Sequence, residues 1–172
     1  MTQDRIKQLK SIFDRHFKEV DEEAQVILKG HLLIEEVLYR IITTFVFHPA
    51  HIENANLTFY NKVSVARSLS LGESENTMWN LILAFNTLRN KTSHFLDLEH
   101  RKSALEKVRL LYEKELSGEY PDEVKLVWQR EKTPVALSYT FSLCFGFLGE
   151  FEEEAVRFKE FVTEADKMMN KQ

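Results

Sequence analysis

Ala24-Gln25-Val26-Ile27-Leu28-Lys29-Gly30-His31-Leu32-Leu33-Ile34-Glu35-Glu36-Val37-Leu38-Tyr39-Arg40-Ile41-Ile42-Thr43-Thr44-Phe45 is the stretch that decides the fold class. Its apolar positions, Val26, Ile27, Leu33, Ile34, Val37, Leu38, Ile41, Ile42 and Phe45, recur at helical spacing rather than in the alternation of a strand. They cover more than half of the circumference, and a helix that apolar is a central one with neighbours on several sides. The pattern predicts one long helix from about Glu22 to Phe47. It stops at His48-Pro49-Ala50-His51, because proline disfavours helical geometry in the residue before it.

Outward from this centre the periodicity stays helical. A first helix is expected from about Asp4 to Val20, with Ile6, Leu9, Ile12, Phe13 and Phe17 on one stripe. After a loop to about Asn56, a third spans about Leu57 to Leu71, ended by Gly72 in a capping place. Ser74 serves as N-cap for a fourth, which runs through Trp79, Ile82, Leu83, Phe85 and Leu88. A fifth covers about Arg101 to Leu116 and ends near Ser117-Gly118. Between Glu119 and Lys132 three readings stay open: Val124-Lys125-Leu126-Val127-Trp128 fits a short strand, a helical turn or an extended arm. Thr133-Pro134 then opens a last helix, with proline at its favoured first position. This helix runs past Val162, from an apolar first half into an acidic, amphipathic second half. The fold class is all-α, a bundle of five to six helices. With no linker, repeat or low-complexity tract, residues 1–172 read as a single domain, its core at about 20–115 and its long C-terminal helix at about 133–169.

Composition agrees. The chain has 172 residues, 44% hydrophobic and 29% charged, the balance of a globular domain rather than a disordered segment. Only 5 glycines and 3 prolines argue against a many-turned sheet protein, while 13 phenylalanines supply a large-volume core. The lone Cys144 excludes an internal disulfide and reads as a small buried hydrophobe rather than a nucleophile. The charged N-terminus has no secretory pattern. The longest uncharged run, Thr133 to Gly149, is short of the roughly 20 apolar residues of a membrane span and reads as a buried helix. A cytoplasmic protein with no membrane partner is the expectation. A net charge of −4 disfavours sequence-blind binding to long nucleic acid, yet charge is segregated along the chain. Six bases face three acids between Arg89 and Arg109, whereas acids dominate from Glu150 to Asp166.

Chemistry concentrates in Leu88-Arg89-Asn90-Lys91-Thr92-Ser93-His94-Phe95. A permanent cation, an amide, two hydroxyls and an imidazole fall within six residues at the end of an apolar helix. Asn90 and His94 share a helix face, as do Arg89 and Ser93. Arg89 and His94, five apart, diverge by about 140° on a straight helix. They flank one cleft only if the cleft is wide or the helix loosens near His94. The pair suits cleavage of RNA without a metal. An imidazole takes a proton from a 2′-hydroxyl or gives one to a leaving oxygen, and a guanidinium holds phosphate oxygens bidentately. An arginine and a histidine near a helix end also serve purely structural roles, and residue chemistry leaves both readings open.

The stretch resembles the Arg-x4–6-His motif of the HEPN (higher eukaryotes and prokaryotes nucleotide-binding) superfamily, including the polar residue after the arginine, here Asn90. The layout is similar too: the long early helix around Gly30 to Leu38, a helix-turn segment near Leu71, and the motif late in a fourth helix, over roughly residues 20–115. The resemblance implies a HEPN-like bundle that forms a homodimer and a metal-independent endoribonuclease of a toxin–antitoxin or phage-defence system. Two copies of the motif would meet in one RNA-cleaving cleft. By position, Arg89 stabilises the phosphate, His94 is the acid/base and Asn90 orients or binds, with Lys91 and Ser93 supporting. No cofactor or metal is implied. Some relatives, including those like the mannitol operon repressor, are regulatory, so a non-catalytic antitoxin, immunity protein or transcriptional regulator is the alternative. A cognate antitoxin or toxin is the implied protein partner. A subgroup of HEPN toxins has a tyrosine two residues after the histidine that a partner nucleotidyltransferase modifies; here Leu96 stands there, which does not support that regulation.

Other polar residues have plainer readings. Glu35 or Glu36 could fix the Arg89 side chain, or both could lie at the solvent edge. His48, His51 and Glu53 have metal-like spacing but lie in a loop without a fourth ligand, so no metal is expected. His31 reads as a hydrogen-bonded interior residue. Lys91, Arg101 and Lys102 read as a solvated face, with an RNA path as the alternative.

Overall fold

A computed structural model describes residues 2–17, 20–70, 72, 75–95, 98–118 and 120–170; the side chains of 2–4, 12 and 15–17 lie outside the description. The described residues are all-helical. Elements α1 (Thr2–Phe17), α2 (Glu22–Phe45), α3 (Ala50–Asn54), α4 (Phe59–Leu69), α5 (Met78–His94), α6 (Glu99–Glu115), α7 (Asp122–Lys125), α8 (Val127–Arg130) and α9 (Thr133–Met169) follow in chain order. Ser74 and Leu71, expected to start and end helices, lie outside the described residues, as do Leu96 and Glu119.

Asp21 starts α2: its carboxylate accepts from the Ala24 N–H at 2.9 Å, and Glu22 and Glu23 in the first turn oppose the positive end of the helix dipole. Ile27, Ile34, Leu38, Ile41 and Ile42 are fully buried, and α2 packs on α4, α5 and α9. Leu32 and Leu33 remain half exposed, so one side of the central helix is open to solvent. Past Pro49 the expected loop contains the single-turn α3. Asn56 follows in the left-handed region at φ 47°, which asparagine tolerates, and Thr58 caps α4 by accepting from the Asn61 N–H.

The α2 and α9 helices run parallel. Gly30 lies against Phe141, Arg40 forms a two-pronged ion pair with Glu152 at 2.9 Å, and Phe45 meets Phe151 and Phe158. A Cβ on Gly30 would stand 2.5 Å from the Phe141 ring, which is itself stacked on Phe85 at 3.9 Å. Glycine is therefore required here by close approach of two helices rather than by backbone angles. Lys159 donates to the Val46 carbonyl at 3.1 Å, supplying the cation that the last turn of α2 lacks.

The structure settles one open reading, adds one placement and revises one expectation. The segment before α9 folds into α7 and α8 rather than a strand or arm. Tyr112 Oη donates to the Val124 carbonyl and Trp128 Nε1 to Thr140 Oγ1, pinning both turns against α6 and α9. The amphipathic α1 does not join the core, since Ile6 and Leu9 are each 60% exposed. Finally, Arg101 is neither solvated nor available to RNA. It is buried, paired with Asp21 at 2.5 Å and Glu23 at 3.4 Å, and so ties the start of α6 to the start of α2.

By length and composition α9 is long and apolar enough to cross a membrane. Along its first two-thirds one face, including Ala136, Leu137, Phe141, Cys144, Leu148, Phe151 and Ala155, is buried within the bundle. Cys144 has no exposure and burial pushes its thiol up, so the thiolate needed for nucleophilic chemistry is suppressed.

Candidate functional site

Helix α5 begins where the Asn76 side chain accepts from the Met78 N–H and buries Met78, Trp79, Leu81, Ile82, Ala84, Phe85 and Leu88. Polar residues take over in its last turns. Asn86, Arg89 and Asn90 fall on one side at helical spacing, and packing of α2 and α4 against that side builds a polar cluster. His31 Nε2 donates to Asn86 Oδ1 at 3.1 Å, and its ring stacks on Phe59 at 4.2 Å. One turn along α2, Glu35 pairs with Lys62 of α4 at 2.7 Å. A further turn on, Tyr39 lines a pocket of about 260 Å3 with Ile52, Glu53, Asn56, Leu57 and Lys62.

Arg89 is half-buried beside this cluster. Its Nη1 donates to Asn90 Oδ1 at 3.1 Å, and among the described residues it forms no ion pair. Asn90 thus holds the guanidinium, and neither glutamate suggested by sequence does so: Glu35 is committed to Lys62, and Glu36 is exposed. The hydroxyls of Thr92 and Ser93 donate back to the carbonyls of Leu88 and Arg89, so Ser93 keeps only its lone pairs for a ligand. Lys91 is half-buried. His94 is exposed as the last residue of α5, followed by Phe95 in extended geometry with its ring stacked on His100 at 4.4 Å. The helix does not loosen before His94. Within one chain the side chains of Arg89 and His94 therefore leave the helix about 140° apart.

Sequence reasoning placed His31 in the interior and missed its partner Asn86. The available signal was position: Asn86 stands three before Arg89 and four before Asn90, so a polar row interrupts an otherwise apolar face. Lys102 is solvated and pairs with Glu99 within α6. The rings of His48 and His51 are 6.3 Å apart, and among the described residues no three His, Cys, Asp or Glu side chains gather as metal ligands.

His31 titrates below its ordinary value. Burial is the main cause; the cations of Arg89 and Lys62 add to it, while the Asn86 bond and Glu35 oppose it. An unfolded histidine takes its proton near pH 6.5, before the folded one does. Stability contributed by neutral His31 is then complete above about pH 6.5 and lost as pH falls from there through the lowered folded value. Urea midpoints measured from pH 8 to pH 5 are expected to fall less steeply in His31→Gln than in wild type. Equal slopes would show that His31 does not carry this acid sensitivity.

Compared with protein-family models, curated proteins and solved structures, the chain finds no match in any of the three. The functional reading stands on the chemistry of the α5 terminus.

Proposed function

We propose that this chain is a metal-independent endoribonuclease of the HEPN type, a cytoplasmic toxin or phage-defence effector that works as a homodimer. One observation carries the reading: Arg89 is held by Asn90 and free of any carboxylate among the described residues, while His94 stands exposed at the end of the same helix. A guanidinium neutralised by its own fold would have no charge to offer a phosphate; this one keeps it.

Arg89 binds the non-bridging oxygens of the scissile phosphate. His94 of one copy removes the 2′-hydroxyl proton, the 2′-oxygen attacks phosphorus, and the 5′-oxygen leaves with a proton from a second imidazole. The products are a 2′,3′-cyclic phosphate and a 5′-hydroxyl. A histidine cannot be base and acid in one step, and a two-fold dimer supplies one in each role. It also answers the divergence of Arg89 and His94, because a cleft containing both side chains is completed by the partner copy.

That divergence favours a second reading, a HEPN-like interaction module such as an antitoxin, immunity protein or transcriptional regulator. Cells induced to express wild type, Arg89→Ala or His94→Ala separate the two. Growth arrest with cleaved cellular RNA, abolished by either substitution, is expected for the nuclease. Normal growth and intact RNA from a folded wild-type product would assign the chain to the interaction module.

A further inference from the structure

The pocket at Tyr39 takes no part in the proposed cleavage chemistry, yet its lining makes a definite demand on a ligand. It lies between the second half of α2, the α3 turn and the start of α4, with a volume of about 260 Å3. Drug-sized ligands fill about 300–1,000 Å3, so this space suits a smaller molecule, the size of one nucleobase. Ile52, Leu57 and the Tyr39 ring give it apolar walls, while Glu53, Asn56 and Lys62 bring a carboxylate, an amide and an ammonium to the same space. These polar groups have bonding capacity to spare. Lys62 Nζ gives one of its three protons to Glu35 at 2.7 Å and stands 5.9 Å from the centre of the Tyr39 ring, so two donors remain. Glu53 faces the Tyr39 hydroxyl, which titrates above its ordinary value through desolvation first, then through hydrogen bonding to that carboxylate and its charge. One hydroxyl proton leaves the carboxylate with acceptor sites still open.

A carboxylate with open acceptors beside an ammonium selects a ligand edge that has two donors side by side and an acceptor next to them. Among nucleobases guanine has that edge: N1–H and N2–H point the same way, with O6 adjacent. Adenine and cytosine set a ring-nitrogen lone pair beside their amine, which would face the carboxylate. Uracil has one N–H between two carbonyls. The pocket also stands on the polar row that leads to Arg89. His31, Glu35 and Tyr39 follow at spacings of four along α2, about 12 Å from first to last. The cations of Arg89 and Lys62 both act on the His31 imidazole, so the pocket and Arg89 belong to one polar surface. At the roughly 3.4 Å rise of a stacked strand, 12 Å is about three nucleotides, and fewer in an extended one. Unstacked bases of single-stranded RNA are read by such contacts to their Watson–Crick edges.

We propose that this pocket takes a guanine base, with Glu53 accepting from N1–H and N2–H and Lys62 donating to O6. In RNA bound for cleavage, it selects a guanine close to the phosphate on Arg89. The second statement rests on the nuclease reading; the first does not.

The test is calorimetric titration of the full chain with 2′-O-methyl oligonucleotides, which lack the attacking hydroxyl. Each has a single guanine, adenine or hypoxanthine in an otherwise uracil strand. Hypoxanthine keeps N1–H and O6 but lacks the N2 amine. Guanine is expected to bind about tenfold or more tightly than either of the others. Glu53 is exposed, so Glu53→Gln is expected to abolish that preference with its helical circular dichroism unchanged. Guanosine 5′-monophosphate in place of the oligonucleotide separates the two sources of the base. Affinity equal to the oligonucleotide's assigns the pocket to a free nucleotide, and weaker affinity assigns it to RNA. Equal affinity for the three bases in the wild type, or no binding of any, overturns the proposal, as does a preference that survives in Glu53→Gln. Because no bond is cut, a chain that prefers guanine yet leaves cellular RNA intact keeps the pocket and loses the nuclease reading. RNA cleavage abolished by His94→Ala, without any guanine preference in the titration, does the reverse.

Discussion

On the proposed nuclease reading, replacing His94 with alanine is expected to slow RNA cleavage by the purified chain about 100- to 10,000-fold, the range lost with a general acid or base. His94 is exposed at the helix end, so the fold does not depend on it. At most the substitution removes a favourable charge at the C-terminus of α5, worth under about 1 kcal/mol. Arg89→Ala is expected to cost about 100- to 1,000-fold through lost stabilisation of the charged transition state. Arg89→Lys should recover only part of this, because a lysine keeps the charge but not the two-pronged geometry. The measurement is single-turnover cleavage of a labelled RNA with EDTA present, beside a thermal melt of each variant. Undiminished cleavage by a folded His94→Ala protein would remove the imidazole from the mechanism. Cleavage that needs an added divalent ion would remove the metal-free route.

The largest stability effect is expected at the crossing of α2 and α9. Phe141→Ala deletes a buried ring stacked on Phe85 and should cost about 3–5 kcal/mol. Gly30→Ala should destabilise as well, by about 1–2 kcal/mol, although alanine is the better helix former by about 1 kcal/mol. Steric conflict with the Phe141 ring outweighs propensity. The sign should reverse in the Phe141→Ala background, where the space is open and Gly30→Ala stabilises by up to about 1 kcal/mol. Urea unfolding of the four proteins in this cycle reads the coupling directly. If Gly30→Ala stabilises the wild type, the two helices do not approach as closely as described.

The central role of α2 was legible because hydrophobic period reports burial on each side of a helix, and three elements do pack on it. The position of the Arg89–His94 stretch at the end of α5 was legible for the same reason, from the apolar run that precedes it. What period cannot report is the identity of the cover. In α1 it marks an apolar face as clearly as in α2, yet Ile6 and Leu9 stay exposed. Partners distant in sequence were equally hidden. Arg101 has the local surroundings of a surface residue, and only the approach of Asp21, 80 positions earlier, buries it as an ion pair. Asn86 drew no notice in the sequence, and only the packing of α2 brings His31 against it. Short turns such as α7 and α8 carry too few residues for a period to register; what pins them is Tyr112 of α6 bonding to Val124 and Trp128 bonding outward to Thr140 of α9.

The parallel pairing of α2 with α9 also sets the order of events during synthesis. Arg40 and Glu152 are separated by 112 positions, and Val46 and Lys159 by 113. At about 5–20 residues per second, a ribosome delivers the second member of each pair about 6–23 s after the first. Throughout that interval Ile27, Ile34, Leu38 and Ile41 are made but lack the helix that seals them, while α4 and α5 cover only part of their side. A pause or a truncation upstream of Phe141 therefore leaves these side chains without the cover that α9 gives them.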